Sequence, residues 1–257
     1  MKVLVTGATG NTGRHVVDGL KDAGAAVRVL VRDPAKAPHG VEVVQGDITD
    51  PAAAAEGVDA VYLLWPFYTA DGVETALESM KDKKIVYLSA MGAEDGGSSW
   101  GHVEKAVRNV TGDWTFLRVT GLATNTLGWV EQAETGTVRA PYGQAKRSLV
   151  HEKDVAEMAV KAFTEDHAGQ TYLVTGPEAL TQVRQAELIG HALGTPVRWE
   201  EQPIREAVEQ LGAEFAAAAL PYWASLVEDP EPVSLDVARV TGHPARPFEE
   251  WARERFS

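Results

Sequence analysis

Gly7, Gly10 and Gly13 stand at Gly-x-x-Gly-x-x-Gly spacing, between the apolar run Val3-Leu-Val5 and an amphipathic stretch that begins at Arg14. The first two allow backbone angles and close approach that a side chain would block, and Gly13 lets a following helix lie against the preceding strand. Amides at the new helix N-terminus then face outward, where their partial positive charge favours phosphate oxygens. The first interval is one residue wider than in Gly-x-Gly-x-x-Gly, and a glycine triplet by itself is an ordinary turn. The strand before it, the helix after it and a second strand over 26–31 supply the βαβ context, so the sequence predicts a dinucleotide cofactor.

The end of the second strand selects the adenosine. An acidic residue there holds ribose hydroxyls, whereas an arginine holds a 2′-phosphate through paired, charge-assisted hydrogen bonds. The chain has Val29-Leu-Val-Arg32, with Arg32 nineteen residues beyond Gly13 and Arg14 and Lys36 as helpers. NADP(H) is the expectation, with NAD(H) as the alternative; the competing reading of Arg32 is a solvated arginine beside Asp33. Asp47, in Gln45-Gly-Asp47, could accept from the adenine amino group or cap the next helix. Leu64 and Trp65 follow the fourth strand beside the ribose and nicotinamide, although Trp65 reads equally well as packing under a loop.

These residues need a sheet to collect them. Strand-like runs at 2–6, 26–31, 41–45, 59–64, 84–89 and 115–119 alternate with helical patterns near 12–23, 51–56, 70–81 and 101–111. That alternation predicts an α/β fold, a doubly wound parallel (Rossmann) sheet. Right-handed crossovers gather the loop 7–13, Arg32, Asp47, Trp65 and Ser89 along one crevice. Residues 1–120 are expected to form the nucleotide-binding core. Residues 121–257 are expected to hold the final sheet strands and a small, mainly helical substrate lobe. This part includes a helix near 123–135, a loop at 136–143, a helix after His151, a strand near 171–174, a helix near 182–193 and a strand near 197–200. The tail 203–257 reads as helices broken by Pro221 and by Pro230 and Pro232.

Composition excludes several classes. The 257-residue chain is 44% hydrophobic, carries a net charge of −13 and has no cysteine. Disulfides, thiolate zinc sites and cysteine nucleophiles are ruled out. The acidic balance opposes nucleic acid and anionic membrane surfaces, and no run approaches the ~20 apolar residues of a spanning helix. The seven histidines are scattered without ligand spacing, and no Gly-x-Ser-x-Gly elbow occurs, so neither a metal nor a nucleophile triad is expected. A cytoplasmic protein acting on a small molecule, as monomer or homodimer, fits these limits.

Eight stretches together resemble the atypical short-chain dehydrogenase/reductases of the NmrA-like, NAD(P)H-binding group: 5–13, 31–34, 45–47, 87–90, 114–118, 124–129, 151–156 and 173–177. The resemblance implies nicotinamide near Ser89, with substrate between it and the C-terminal lobe. Residues expected to line the cofactor are Gly7, Thr9, Gly10, Asn11, Thr12, Gly13, Arg32, Asp47, Ile48, Leu64, Trp65, Ser89 and Ala90. Those expected to border substrate are Met91, Trp100, Thr120, Asn125 and Trp129. Ordinary members of the superfamily use Ser, Tyr and Lys. Counting back from Trp114 places those positions at Met91, Gly96 and Trp100, and residues 91–113 contain no tyrosine.

The candidates left for proton handling are Ser89 and His102, with Tyr142 and His151 behind them. His102 has the right titration range, but a lone helical histidine is commonly a bystander. The expected activity is NADPH-dependent reduction of a small ketone or quinone-like compound, possible polycyclic aromatics included, by a ketoreductase-like enzyme without the usual Tyr/Lys pair. The alternative is a nonenzymatic NADP(H) sensor.

Overall fold

The computed structural model describes residues 1–256. In chain order it contains β1 (Lys2–Thr6), α1 (Gly13–Asp22), β2 (Ala26–Val31), β3 (Glu42–Gln45), α2 (Ala52–Ala55), β4 (Ala60–Leu63), α3 (Val73–Glu78), β5 (Lys84–Ala90), α4 (Ser99–Val110) and β6 (Trp114–Val119). There follow α5 (Val130–Glu134), β7 (Thr137–Ala140), β8 (Lys146–Arg147), α6 (Glu152–Thr164), β9 (Gln170–Val174), β10 (Leu180–Thr181), α7 (Gln182–Leu193) and β11 (Arg198–Glu201). The chain ends with α8 (Ile204–Leu211), α9 (Ala213–Ser225), α10 (Asp236–Thr241) and α11 (Phe248–Phe256).

The chain folds as two units. The first comprises 1–119, 152–174 and 236–243, so α6, β9 and α10 return to the unit that β1 begins. Its seven strands run parallel in the order β3-β2-β1-β4-β5-β6-β9. Val3, Leu4, Val5 and all of β4 are fully buried, as central strands covered on both faces must be. The edge strand β3 is largely exposed. In α1 the buried positions Gly13, Val16, Val17 and Leu20 recur at helical spacing. Strand order reverses at β1, which pairs with β2 on one side and β4 on the other, so the glycine loop emerges at the topological switch point. An arginine inside β2 is accommodated because Arg28 turns its guanidinium to the carbonyl of Ala54, at the end of α2, and to Glu42.

The second unit comprises, of the described residues, 120–151, 175–235 and 244–256. It holds two small sheets, β10 against β8 (antiparallel) and β11 against β7 (parallel). Its core gathers Val138, Leu149, Leu188, Ile189, Phe248 and Trp251. Three sequence expectations change here. The segment 136–143 contains β7 rather than being all loop, because its partner β11 lies about sixty residues on and leaves no local signature. The stretch 123–135 opens as a 3-10 helix over Ala123–Trp129 before α5 begins. Pro221 lies inside α9, which continues through it at the cost of the hydrogen bond its missing N–H would make, and the break falls instead at Gly212, whose φ is +81°. Among the described residues no helix is long and apolar enough to cross a membrane.

Candidate active site

The loop between β1 and α1 is built for close approach of a ligand. Gly7 has φ +67°, and the Gly10 amide turns back to the Gly7 carbonyl at 2.9 Å. Helical hydrogen bonding begins with Arg14 on Gly10 O (3.4 Å) and Val16 on Thr12 O (3.1 Å), so the amides of Asn11, Thr12 and Gly13 form the open first turn of α1. A Cβ on Gly13 would stand 2.1 Å from the Gly7 carbonyl oxygen, and one on Gly7 would stand 2.6 Å from Leu64 Cδ2. Thr9, Gly10 and Asn11 are exposed above this turn. The side chain of Thr12 is held inward instead, its hydroxyl facing Tyr62 Oη at 3.2 Å. Burial pushes Tyr62 up to about 12, so it remains a neutral phenol beneath the loop. Thr6 completes the support, accepting from the Leu64 amide at 2.7 Å.

Beyond β2, Arg32 is exposed, and among the described residues no carboxylate lies within ion-pairing distance of it. Asp33 is otherwise engaged: its carboxylate accepts from the Ala35 amide (3.1 Å) and faces Lys36 at 3.8 Å. Arg14 leans toward Glu152 at 3.8 Å. Both contacts are long for ion pairs and their cations stay exposed, as Arg32 does. Asp47 caps its own turn through Oδ1, which accepts from the Thr49 amide (3.0 Å) and hydroxyl (2.9 Å). Those bonds, and then Arg32, hold its carboxyl below the ordinary range. Ile48 is buried in the sheet core.

The C-terminal ends of β5 and β6 carry a buried ionic group. Their register sets Ser89 opposite Arg118 and Tyr87 opposite Phe116, so alternation turns all four side chains to the face under α4. There Glu104, fully buried, accepts from Arg118 Nε (2.9 Å) and Nη2 (2.8 Å), and Arg108 Nη2 lies at 3.3 Å. Ser89 donates to Glu104 Oε1 at 2.7 Å. A carboxylate paired in this way offers only lone pairs, so it takes the one proton the serine hydroxyl has. Arg118 also bonds Glu94 at 3.0 Å, tying the loop after β5 to the sheet.

The expected proton donors fare poorly on this geometry. Ser89 is 2% exposed and its proton is committed to Glu104. His102 is exposed, two residues before Glu104 and therefore about 200° around α4 from it, so the helix does not bring it to Ser89. Trp65 packs into the core between β4 and α3, its indole N–H donating to Thr69 O at 2.8 Å, which favours packing over cofactor contact for its ring. Ala90 and Met91 are half-buried at the end of β5, and the Met91 amide donates to Val119 O. Trp100 is 39% exposed in the first turn of α4.

Three expected substrate residues belong to the second unit. Thr120 is buried and donates to Ser148 O (2.9 Å), Asn125 is exposed, and Trp129 meets Trp199 edge-on at 5.4 Å. Tyr142 has φ +57° and packs beside Ala207, Ala216 and Leu220, and the buried His151 faces Glu254 at 3.5 Å.

Sequence reasoning missed Glu104, since a glutamate in an amphipathic helix reads as solvated. The helical phase it shares with Val103 and Val107 was the available signal. It also missed a group in the first unit: donor atoms of Asp154, Glu157 and His243 lie within 4.8 Å of one another. His243 Nε2 is 2.6 Å from Glu157 Oε2. Lys153 lines the same groove as Glu157 and His243, and the His243–Glu157 contact ties the segment after α10 to α6.

The family described as NAD(P)H-binding matches residues 7–166, spanning the glycine turn, Arg32, Ser89 and Glu104. The chain belongs to this family. It is an NAD(P)H-dependent oxidoreductase of the atypical short-chain dehydrogenase/reductase, NmrA-like type. It is 37% identical, over 98% of its length and 97% of the relative's, to the (4-alkanoyl-5-oxo-2,5-dihydrofuran-3-yl)methyl phosphate reductase of Streptomyces griseus. It is 31% identical to the NAD(P)H azoreductase of Xenophilus azovorans, covering 98% of this chain and 96% of that one. The triphenylmethane reductase of Citrobacter sp. complexed with NADP(H) shares the fold, with a TM-score of 0.81, 22% identity and 100% of both chains covered.

Proposed function

We propose that this protein is an NADPH-preferring reductase of a small ketone or quinone-like compound. The observation that carries the reading is the pairing of an open glycine turn at the switch point with an arginine beyond β2 whose neighbouring carboxylate is already engaged. In this reading the amides of Asn11, Thr12 and Gly13 hold the diphosphate. Arg32 takes the 2′-phosphate, and Asp47 Oδ2, the oxygen not used by Thr49, faces the adenine amino group. Residues Leu64, Ser89 and Ala90, at the ends of β4 and β5, flank the nicotinamide. The turn suits such a cofactor because its exposed side is centred on Gly10, where the absence of a Cβ lets oxygen atoms approach the backbone.

Bound NADPH supplies a hydride; the protein's part is to align it and to exclude competing geometries. With Ser89 committed to Glu104 and His102 turned to solvent, the accompanying proton comes from water or from the substrate. The relatives support this breadth of electrophile, since their names assign them a furanone phosphate and azo compounds. The test is purified protein with NADPH and a panel of quinones, ketones and azo compounds, followed at the reduced-nicotinamide absorbance. Oxidation of NADPH that depends on the electrophile supports the reading. Tight NADPH binding with no oxidation by any member of the panel refutes it.

A further inference from the structure

The loop that follows β4 carries aromatic residues whose arrangement goes beyond packing. The chain leaves the sheet at Leu64, and Trp65 turns down into the core, 6% exposed, where its indole N–H bridges the loop to Thr69 O at 2.8 Å. Pro66 follows, fixing its own φ and restricting the backbone of Trp65 before it. Phe67 then stands edge-on against Trp65, ring centroids 5.1 Å apart at 71°, and still leaves 41% of itself exposed. An exposed phenyl that a buried, hydrogen-bonded indole already orients has little freedom left to lose when a second ring meets it. Because β4 and β5 are adjacent and parallel, Leu63 opposite Tyr87, this loop and the start of the loop after β5 leave the same sheet edge. The nicotinamide end of the cofactor is assigned to that edge in the reading above, on which the inference rests.

We propose that Phe67, steadied by Trp65, is a specificity-determining residue that selects planar fused-ring electrophiles, such as two-ring quinones, over smaller one-ring ones. The ring offers an apolar face or edge to a flat substrate, and ring-on-ring contact adds to simple area burial. In the reaction it would sort, the quinone gains two electrons and one proton as hydride from NADPH and a second proton from water, giving hydroquinone and NADP+.

The test uses the full chain and four proteins: wild type, Phe67→Ala, Phe67→Leu and Phe67→Tyr. Kinetics with a two-ring naphthoquinone and a one-ring benzoquinone are measured beside NADPH affinity, melting temperature and calorimetric binding of a naphthol to the NADP+ complex. The expected result is a KM for naphthoquinone, and a naphthol Kd, about three- to tenfold higher in Phe67→Ala and Phe67→Leu, with Phe67→Tyr near wild type. Benzoquinone KM changes less, and NADPH affinity and melting temperature hold. An unchanged naphthoquinone-to-benzoquinone ratio in Phe67→Ala overturns the inference. So does an equal loss of NADPH affinity, which would make Phe67 part of the cofactor seat, and so does a wild-type NADP+ complex that binds no flat aromatic compound. Failure of wild type to bind NADPH at all is separate, and removes the cofactor reading itself.

Discussion

Replacing Gly13 by alanine isolates the contact on which the loop depends. The added carbon would lie 2.1 Å from the Gly7 carbonyl oxygen, 2.7 Å from its carbonyl carbon and 3.0 Å from Ala8 Cα. All three are backbone atoms, so no side chain can rotate aside. Ordinary contact begins near 3.4 Å, so α1 must retreat from the loop by roughly 1.3 Å. Overpacking of this kind costs about 1–3 kcal/mol, and each kcal/mol lowers the melting temperature of a chain this long by roughly 2–4 °C. A displacement of ~1 Å at a positioned group is worth up to about a hundredfold in function, so NADPH affinity should fall by one to two orders of magnitude. Gly10→Ala is the control, because its nearest neighbour is the Gly7 carbonyl oxygen at 3.1 Å and a shift of a few tenths of an ångström relieves it. Its melting temperature should hold while its affinity drops. Thermal unfolding and titration of NADPH fluorescence read both quantities. A Gly13→Ala protein with wild-type melting and wild-type affinity would refute the reasoning.

Other substitutions probe the remaining parts. Arg32→Ala should weaken NADPH binding about tenfold at low salt, the value of one or two exposed charge-assisted bonds, and leave NADH unchanged; equal losses for both cofactors would rule out a 2′-phosphate contact. Glu104→Gln removes the charge that pairs Arg118 inside the fold and should cost about 3 kcal/mol in denaturant unfolding, toward the lower end for a broken buried pair because Glu94 still holds Arg118. Ser89→Ala should cost about 1 kcal/mol of stability and keep turnover; abolished turnover with intact NADPH affinity would make its hydroxyl the proton donor. The carboxyl of Asp47 titrates below its ordinary 3.8, so it stabilises the fold above that value and loses this contribution as pH falls through its folded pKa. Thr49→Val should raise that pKa in a carboxyl NMR titration and lower stability at neutral pH, with the two proteins converging well below 3.8.

Local chemistry made the nucleotide half legible. Gly7, Gly10 and Gly13 announce a turn by residue type alone, and Val3-Leu-Val5 and Ala60–Leu63 announce buried strands by uninterrupted apolar character, so the switch-point topology followed from elements only a few residues long. Arg32 was readable because its place in the βαβ unit is a matter of counting. Groups assembled by pairing across the sheet were not. Glu104 lies fifteen residues after Ser89 and fourteen before Arg118, and the three meet only through the β5–β6 register and the phase of α4. His243 reaches Glu157 across 86 residues. Trp65 was ambiguous for a different reason: residue type cannot say which way an indole turns at the end of a strand, and only its bond to Thr69 decides it. The return of α6, β9 and α10 to the first unit has the same origin, since contact partners distant in sequence leave no periodic trace.

Calorimetric titration of the full chain with NADPH and with NADH tests most directly whether the amides of the first loop hold a diphosphate while Arg32 selects the phosphorylated adenosine. Saturable binding of NADPH, tighter than NADH by a margin that narrows as salt is raised, is the predicted result. Folded protein that takes up neither nucleotide, or that prefers NADH at every salt concentration, would contradict it.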